Sequence, residues 1–232
     1  MHPLVSALEG SLIVSCQAYP GEPMRDPRTM AQVASAVQQG GASAVRAQGL
    51  EDIAQVKSAV DVPVIGIWKD GEEGVFITPT LEHCLAVIEA GADILALDGT
   101  TRPRPDDRTL AQTVSAVRER FEGPLMADCD SLESALAAAD LGIELIGTTL
   151  AGYTPARPRT DGPDLELLGE LAGQLPPTSV LVAEGRVHTP LQAADARATG
   201  AFAVVVGTAI THPTSITRWF CTAVTDARSE AR

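Results

Sequence analysis

The sequence predicts an α/β fold, a TIM-type (β/α)8 barrel in a single domain over residues 1–232. Three observations lead to this prediction. Short apolar segments alternate with segments of helical spacing eight times along the chain. Repeated turns from a helix into a strand are marked by Gly41-Ala42, Gly91-Ala92, Gly142-Ile143 and Gly200-Ala201. Polar residues recur where the apolar segments end, which is the side of a barrel that carries its chemistry.

A doubly wound open sheet is the alternative, because it shows the same alternation of strands and helices. A dinucleotide-binding sheet of that kind would carry Gly-x-Gly-x-x-Gly after its first strand, and this chain has no such motif there. The 232 residues are 45% hydrophobic, which suffices for one domain with a large core. No linker or low-complexity segment divides the chain, so we expect one domain.

Charge and composition exclude several classes of function. The net charge is −13 and no basic patch is visible, so we expect no nucleic-acid partner. Neither a membrane-length apolar run nor a signal segment is present, so we expect a soluble, cytoplasmic protein without a membrane partner. The four cysteines and four histidines are scattered without metal-ligand spacing. We therefore predict no metal site, and reduced cysteines.

The strands are predicted from runs of β-branched and other apolar residues. After a short helix or arm over 1–10, the first apolar run is followed by a loop rich in proline and glycine. Pro63 suits the start of the third strand, where a missing donor is tolerated. The eight predicted strands cover residues 11–16, 43–45, 62–68, 93–97, 124–127, 143–146, 179–183 and 203–206.

The helices are predicted from apolar stripes and their stop signals. In the first of them Met30, Val33 and Val37 form a stripe, and Gly40 ends it. Pro190 suits the first turn of a later helix. The eight predicted helices cover residues 29–39, 50–59, 81–90, 109–121, 132–141, 164–174, 190–199 and 215–225.

The third strand places a lysine at the mouth of the predicted barrel. Side chains alternate along a strand, so Ile65, Ile67 and Lys69 share one face and Trp68 lies on the other. Ile65 and Ile67 then fill the barrel interior, and Lys69 stands at the carboxyl end. Taken alone, Lys69 would be a surface lysine. Polar residues at five further strand ends favour an active site, and these are Gln17, Arg46, Asp98, Asp128 and Glu184.

Two glycine turns follow the seventh and eighth strands. They are Gly185-Arg186 and Gly207-Thr208. Backbone N–H groups in such turns, with the amino end of a short helix, form an anion site, and TIM barrels commonly bind phosphate there. We predict a phosphate site at these four residues, with simple tight turns as the alternative.

The sequence resembles the N-acylglucosamine-6-phosphate 2-epimerase family, also named N-acetylmannosamine-6-phosphate 2-epimerases. The similarity runs from residue 12 to about residue 211 and is specific in combination. It is carried by the stretches LIVSCQ, AVR, VIGIWK, ALDGTTRPRP, MADCD, IGTTLAGYT, VAEGRVHTP and VVGTAIT. The resemblance implies an isomerase of sialic-acid and amino-sugar catabolism. It would interconvert N-acetylmannosamine 6-phosphate and N-acetylglucosamine 6-phosphate without a metal or other cofactor.

The resemblance also implies roles for individual residues. Lys69 would be the catalytic base and acid, with Glu184 as its carboxylate partner. Gln17, Arg46 and Asp128 would hold the substrate, and the glycine turns would hold its 6-phosphate.

Two positions depart from the family pattern. Members usually carry valine or isoleucine where this chain has Trp68, which by its parity faces the helix layer, so we expect an effect on packing. Members commonly carry arginine after AIT, where this chain has His212. We expect His212 to contact the substrate as an imidazolium cation, which loses its charge as the pH rises. The departure at His212 leaves the acyl-group preference open.

Three alternative functions remain. A Schiff-base aldolase would also use Lys69 and bind a phosphorylated substrate. A 2-epimerase with a different acyl-group specificity would fit the change at His212. A non-catalytic sugar-phosphate sensor is the third, although a sensor has no need of a base such as Lys69.

The last predicted helix carries two adjacent aromatic residues, Trp219 and Phe220. Aromatic residues are enriched in the cores of interfaces, and the family resemblance implies self-association. We therefore expect a homodimer, with packing of this helix on its own barrel as the alternative.

Overall fold

A computed structural model describes residues 1–229 as a closed barrel of eight parallel strands, which confirms the predicted fold. The predicted domain extends to 232, so its last three residues lie outside the described part. The strands neighbour each other in sequence order and β1 closes the barrel against β8. They are β1 (Leu12–Cys16), β2 (Ala44–Gln48), β3 (Val64–Ile67), β4 (Ile94–Asp98), β5 (Leu125–Asp128), β6 (Leu145–Gly147), β7 (Val180–Glu184) and β8 (Ala203–Val206).

Ten helices accompany the strands within the described residues. They are α1 (Pro3–Ser6), α2 (Pro27–Gln39), α3 (Leu50–Ala59), α4 (Leu81–Glu89), α5 (Leu110–Arg118), α6 (Leu132–Asp140), α7 (Leu165–Ala172), α8 (Pro190–Ala198), α9 (Thr208–Thr211) and α10 (Pro213–Ser229). Side-chain caps start many of them, for example Asp26 at α2 and Thr109 at α5. No helix in residues 1–229 combines the length and apolar character needed to cross a membrane.

The apolar core forms two layers, as the alternation of side chains predicts. Ile65 and Ile67 are fully buried in the interior cluster of the barrel. Val5 and Leu8, which lie before β1 in the chain, join the same cluster. Trp68 packs instead against the cluster that lies between strands and helices. The confirmed parity of β3 is what directs Lys69 toward the interior side of the sheet.

Gly66 allows β3 to lie close to its covering helix. A Cβ at Gly66 would lie 2.6 Å from Ala92 Cβ and 2.7 Å from Val87 Cγ1. Side chains do not approach so closely, so this position admits only glycine without a shift of α4 or its flanking turn. Tight packing on this side holds the strand that leads to Lys69.

Several predicted boundaries are wrong. β2 was predicted over 43–45 with Arg46 at its end, but it continues to Gln48, so Arg46 lies inside the strand. The four-residue α9 was not predicted, because a single turn carries too few residues for a periodic pattern. The last helix begins at Pro213 rather than at 215 and runs to Ser229.

Candidate active site

A cavity of about 770 Å³ opens at the carboxyl ends of the strands, within the size range of small-molecule sites. Nine of the ten predicted site residues line it. They are Gln17, Arg46, Lys69, Glu184, Gly185, Arg186, Gly207, Thr208 and His212. The tenth, Asp128, is fully buried and contacts Arg46.

A short hairpin after β3 positions Lys69. Lys69 forms an antiparallel bridge with Ile77. The flanking backbone bonds join the Asp70 N–H to Phe76 O at 3.0 Å and the Thr78 N–H to Trp68 O at 2.8 Å. The chain therefore stays extended beyond the end of β3 at Ile67, and Lys69 keeps the orientation set by the strand.

Gln17 holds the Lys69 side chain. Lys69 Nζ donates to Gln17 Oε1 at 2.8 Å, and Gln17 Nε2 donates to Ser15 Oγ at 2.8 Å. Ser15 thus orients the amide so that its oxygen faces the lysine. The sequence predicted that Gln17 contacts the substrate, but it did not identify Ser15 as a site residue. Ser15 lies two residues before Gln17 on the same face of β1, and this spacing could have indicated the contact.

The environment of Lys69 favours its neutral form. Burial and the neighbouring Arg46 guanidinium lower its pKa to about 8, while Glu184 and Asp128 act in the opposite direction. A lysine with this pKa exchanges protons readily near neutral pH, as a general base requires.

Arg46 joins two carboxylates beneath the cavity. Its side chain is 1% exposed, and its two terminal nitrogens donate to the two oxygens of Asp128. The nitrogen that contacts Asp128 Oδ1 at 2.9 Å also donates to Glu184 Oε2 at 2.7 Å. Burial opposes the charge of Arg46, but Asp128 and Glu184 raise its pKa above the ordinary value. The arginine is therefore a permanent cation between two acids.

Burial of Glu184 favours its protonated form. Burial raises its pKa; Arg46 lowers it and Asp128 raises it. The sequence predicted that Glu184 is the carboxylate partner of Lys69. In the structure its ion pair is with Arg46, and its influence on Lys69 is electrostatic.

Asp98 does not line the cavity, contrary to the expectation that six strand ends converge there. Its Oδ1 accepts bonds from the Thr100 N–H at 2.9 Å and Thr100 Oγ1 at 2.6 Å, and its Oδ2 accepts from Arg102 at 2.7 Å. Asp98 is fully buried and shapes the loop that follows β4. The position of Asp98 at a strand end could not reveal that residues of the following loop would donate hydrogen bonds to its carboxylate.

The two glycine turns lie next to each other, because β7 and β8 are neighbours. Gly207 precedes Thr208, the first residue of α9, and both residues line the cavity. Gly185 and Arg186 both have positive φ angles, 109° and 56°. The Arg186 guanidinium is engaged elsewhere, since it donates to Ala151 O, Gly162 O and Thr160 Oγ1 of the loop after β6.

His212 lies between α9 and α10 and has contacts within the chain. Its Nδ1 is 2.7 Å from Ser215 Oγ, and its ring meets Tyr19 edge-on with centroids 5.2 Å apart. Its Nε2 lies 3.3 Å from Glu22 Oε1 but has no hydrogen bond of good geometry within residues 1–229. Tyr19 was not predicted as a site residue. It lines the cavity, and the centroid of its ring lies 5.8 Å from Lys69 Nζ.

Comparison with known proteins assigns a family. A family model described as "Putative N-acetylmannosamine-6-phosphate epimerase" matches residues 30–226. A relative from Cutibacterium acnes is 57% identical over 217 residues, which covers 94% of this chain and 95% of the relative. One from Caldanaerobacter subterraneus subsp. tengcongensis is 46% identical over 228 residues, 97% of this chain and 95% of the relative. Both carry the name "Putative N-acetylmannosamine-6-phosphate 2-epimerase".

Solved structures agree with this assignment. The N-acetylmannosamine-6-phosphate 2-epimerase from Clostridium perfringens matches with a TM-score of 0.91 at 37% sequence identity, over 96% of each chain. The thiamine phosphate pyrophosphorylase from Pyrococcus furiosus matches with a TM-score of 0.61 at 19% identity and shares the fold alone. The predicted resemblance is confirmed: this chain belongs to the N-acetylmannosamine-6-phosphate epimerase family.

Proposed function

We propose that this chain is an isomerase that interconverts N-acetylmannosamine 6-phosphate and N-acetylglucosamine 6-phosphate by moving a proton at C2. Family membership supports the reaction. The single observation that carries it is Lys69, which lines the mouth cavity with a pKa of about 8. The active unit is one barrel domain over residues 1–232, and the substrate is a small sugar phosphate.

The first chemical step is removal of the proton at C2. This proton is acidic only in the open-chain sugar, where C2 lies next to the C1 aldehyde. Lys69 accepts it when neutral, and with a pKa of about 8 about one lysine side chain in ten is neutral at pH 7. The C2–H electron pair moves into an enediolate-like intermediate. Lys69 becomes an ammonium ion, which also stabilises that negative charge.

Inversion requires that a proton return to the opposite face of C2. In the closed ring of eight strands, β3 and β7 are four strands apart in either direction and so lie across the mouth from each other. A substrate held between them has Lys69 on one face and Glu184 on the other. Because burial raises the pKa of Glu184, we propose that this carboxyl group carries the second proton.

The remaining site residues hold the substrate and its developing charge. Arg46 lines the cavity, and its Nε has no hydrogen-bond partner in the described part of the chain, so we propose this side chain as a donor to the substrate. Gln17, which also lines the cavity, contacts the substrate beside Arg46. Asp128 acts through Arg46, whose guanidinium it holds. The turns at Gly185-Arg186 and Gly207-Thr208 bind the 6-phosphate through backbone N–H groups, with His212 on the same cavity wall.

Exchange of the C2 proton in D₂O tests the function. Proton NMR of N-acetylmannosamine 6-phosphate with the enzyme should show loss of the C2–H signal together with appearance of the second epimer. Stable C2–H and a single epimer would refute the proposed reaction.

The low pKa of Lys69 also favours a Schiff-base aldolase, since an imine forms from a neutral amine. Borohydride treatment in the presence of sugar phosphate separates the two functions. We expect no covalent adduct on Lys69 by mass spectrometry. A reduced Lys69 adduct would favour the aldolase.

Replacing Glu184 tests its role on the second face. We expect Glu184→Gln to lower kcat for epimerisation by about 10²-fold or more. Exchange of C2–H through Lys69 should decline less, because Lys69 still reaches its own face. Glu184 raises the pKa of Lys69, so the rising limb of the pH–rate profile should move to lower pH in the variant. An unchanged rate and profile would remove Glu184 from the chemistry.

We propose that α10 forms a homodimer interface with a second copy of this chain. Phe220 and Val224, four residues apart on one side of α10, are 70% and 65% exposed. Trp219 instead contacts His188 of its own barrel with ring centroids 4.7 Å apart. We expect sedimentation at micromolar concentration to give a dimer for the wild type and a monomer for Phe220→Glu. A monomeric wild type would end the proposal.

We also propose a cytoplasmic location. It is supported by the four cysteines, all of which are free thiols, as is usual in a reducing compartment.

A further inference from the structure

Two consecutive threonines after β6 act on Glu184 and its neighbour Asp128 in different ways. Thr148 fixes the Glu184 backbone: its Oγ1 donates to Glu184 O at 3.0 Å and accepts from the Glu184 N–H at 3.1 Å. Thr149 acts on the side chains. Its Oγ1 donates to Asp128 Oδ1 at 2.6 Å, and the same Asp128 oxygen shares one Arg46 nitrogen with Glu184 Oε2. The Thr149 hydroxyl also lowers the pKa of Glu184. Thr149 is half-buried and lines the cavity.

The two carboxyl groups share their donors. One terminal nitrogen of Arg46 serves both, at 2.9 Å from Asp128 Oδ1 and 2.7 Å from Glu184 Oε2. A guanidinium carries one positive charge, so it cannot neutralise both acids when both are ionised. The Thr149 hydroxyl has a single proton and can donate it to only one acceptor at a time. The Thr149 hydroxyl therefore donates its hydrogen bond to whichever carboxylate is ionised and not neutralised by Arg46.

We propose that Thr149 is a positioning residue for the C2 proton transfer, and that its hydroxyl turns from Asp128 to Glu184 each time Glu184 releases its proton. This inference rests on the proposed function. While Glu184 is protonated, Thr149 donates to Asp128. When the Glu184 proton moves to C2 of the substrate, the O–H electron pair stays on the carboxylate, and the Thr149 proton rotates to it. In the reverse direction the hydroxyl returns to Asp128.

The surrounding charges determine the sign of the expected effect. Ionised Glu184 faces Arg46 from β2, Asp128 from β5 and Lys69 across the mouth on the β3 side. Burial and Asp128 disfavour its negative charge, while Arg46, Thr149 and Lys69 favour it. Loss of the hydroxyl therefore raises the pKa of Glu184, and the limb of the kcat–pH profile that reports this group moves to higher pH.

The test compares Thr149→Val with Thr149→Ser. Valine keeps the branched shape without the hydroxyl, and serine keeps the hydroxyl without the methyl group. We expect Thr149→Val to lower kcat about ten-fold, the size of one hydrogen bond to a charged group, with KM within about two-fold of the wild type. Thr149→Ser should recover most of kcat and the wild-type pH profile. Thr149→Ala replaces the valine variant if that protein does not fold by circular dichroism.

Two outcomes overturn the inference while the proposed function stands. One is wild-type kcat and pH dependence in Thr149→Val. The other is an equal loss in the valine and serine variants, which would indicate packing by the methyl group. If the wild type itself fails to exchange C2–H, the proposed function fails instead. ¹³C NMR titration of labelled glutamate side chains, with Glu184 assigned from Glu184→Gln, then decides the inference: Thr149→Val must raise the pKa of Glu184.

Discussion

Lys69→Met is expected to abolish epimerisation, with kcat lower by at least about 10²–10⁴-fold, and to stop exchange of C2–H in D₂O. Methionine fills a similar volume without a titratable nitrogen, so substrate binding and the fold should persist. In the wild type, the limb of the kcat/KM–pH profile that rises with pH should report the pKa of Lys69, about 8, because Lys69 must be neutral in the free enzyme. The limb that falls with pH should report Glu184, which must be protonated to supply the second proton.

The matched control for Lys69→Met is Lys57→Met. Lys57 lies in α3 and pairs with Asp93 at 2.6 Å on the protein surface, outside the mouth cavity. We expect unchanged kcat and an unchanged pH profile in this variant. Retained C2–H exchange in Lys69→Met would show that another group is the base.

Arg46→Met is expected to produce the largest loss of stability, about 3–5 kcal/mol in the free energy of unfolding at pH 7. Asp128 is fully buried and Glu184 nearly so, and both lose the cation that balances them. The exposed pair of Lys57 and Asp93 provides the contrast, because removing it should cost about 0–1 kcal/mol. Urea denaturation followed by circular dichroism measures both differences.

The stability loss in Arg46→Met should depend on pH in a stated direction. The folded state holds the pKa of Glu184 above its ordinary value, so it binds the Glu184 proton more tightly than the unfolded chain does. Arg46 lowers that pKa, so its removal raises it further. The loss is therefore at its full size above the folded pKa of Glu184 in the variant, and it becomes smaller as the pH falls from there through the folded pKa of Glu184 in the wild type. A loss equal to that of Lys57→Met at every pH would show that Arg46 is not needed to balance these acids.

Local periodicity was sufficient to predict the barrel. The alternation of strand and helix patterns identified all eight repeats, and the period of two along β3 assigned Ile65 and Ile67 to the interior. The same period placed Lys69 and Glu184 on interior-facing positions. These properties depend on residues that are close together in the chain, so they can be predicted from a single sequence.

Partners across the barrel could not be predicted in the same way. Arg46 and Glu184 are 138 positions apart, and their contact depends on how far an arginine from β2 reaches under the mouth. The strand-end rule treated Asp98 and Asp128 alike. The structure satisfies Asp98 within its own loop and joins Asp128 to Arg46, and only the course of each loop determines this.

By itself, then, the sequence of this protein determined the closed repeat of strands and helices, the lysine at the end of β3 and the family. Tertiary structure alone decided that Glu184 pairs with Arg46, that Gln17 holds Lys69 and that Thr149 donates to Asp128. The physical reason is range. Strand and helix patterns arise from contacts between near neighbours in the chain, whereas hydrogen bonds and pKa shifts depend on side-chain distances of a few ångströms between residues far apart in sequence.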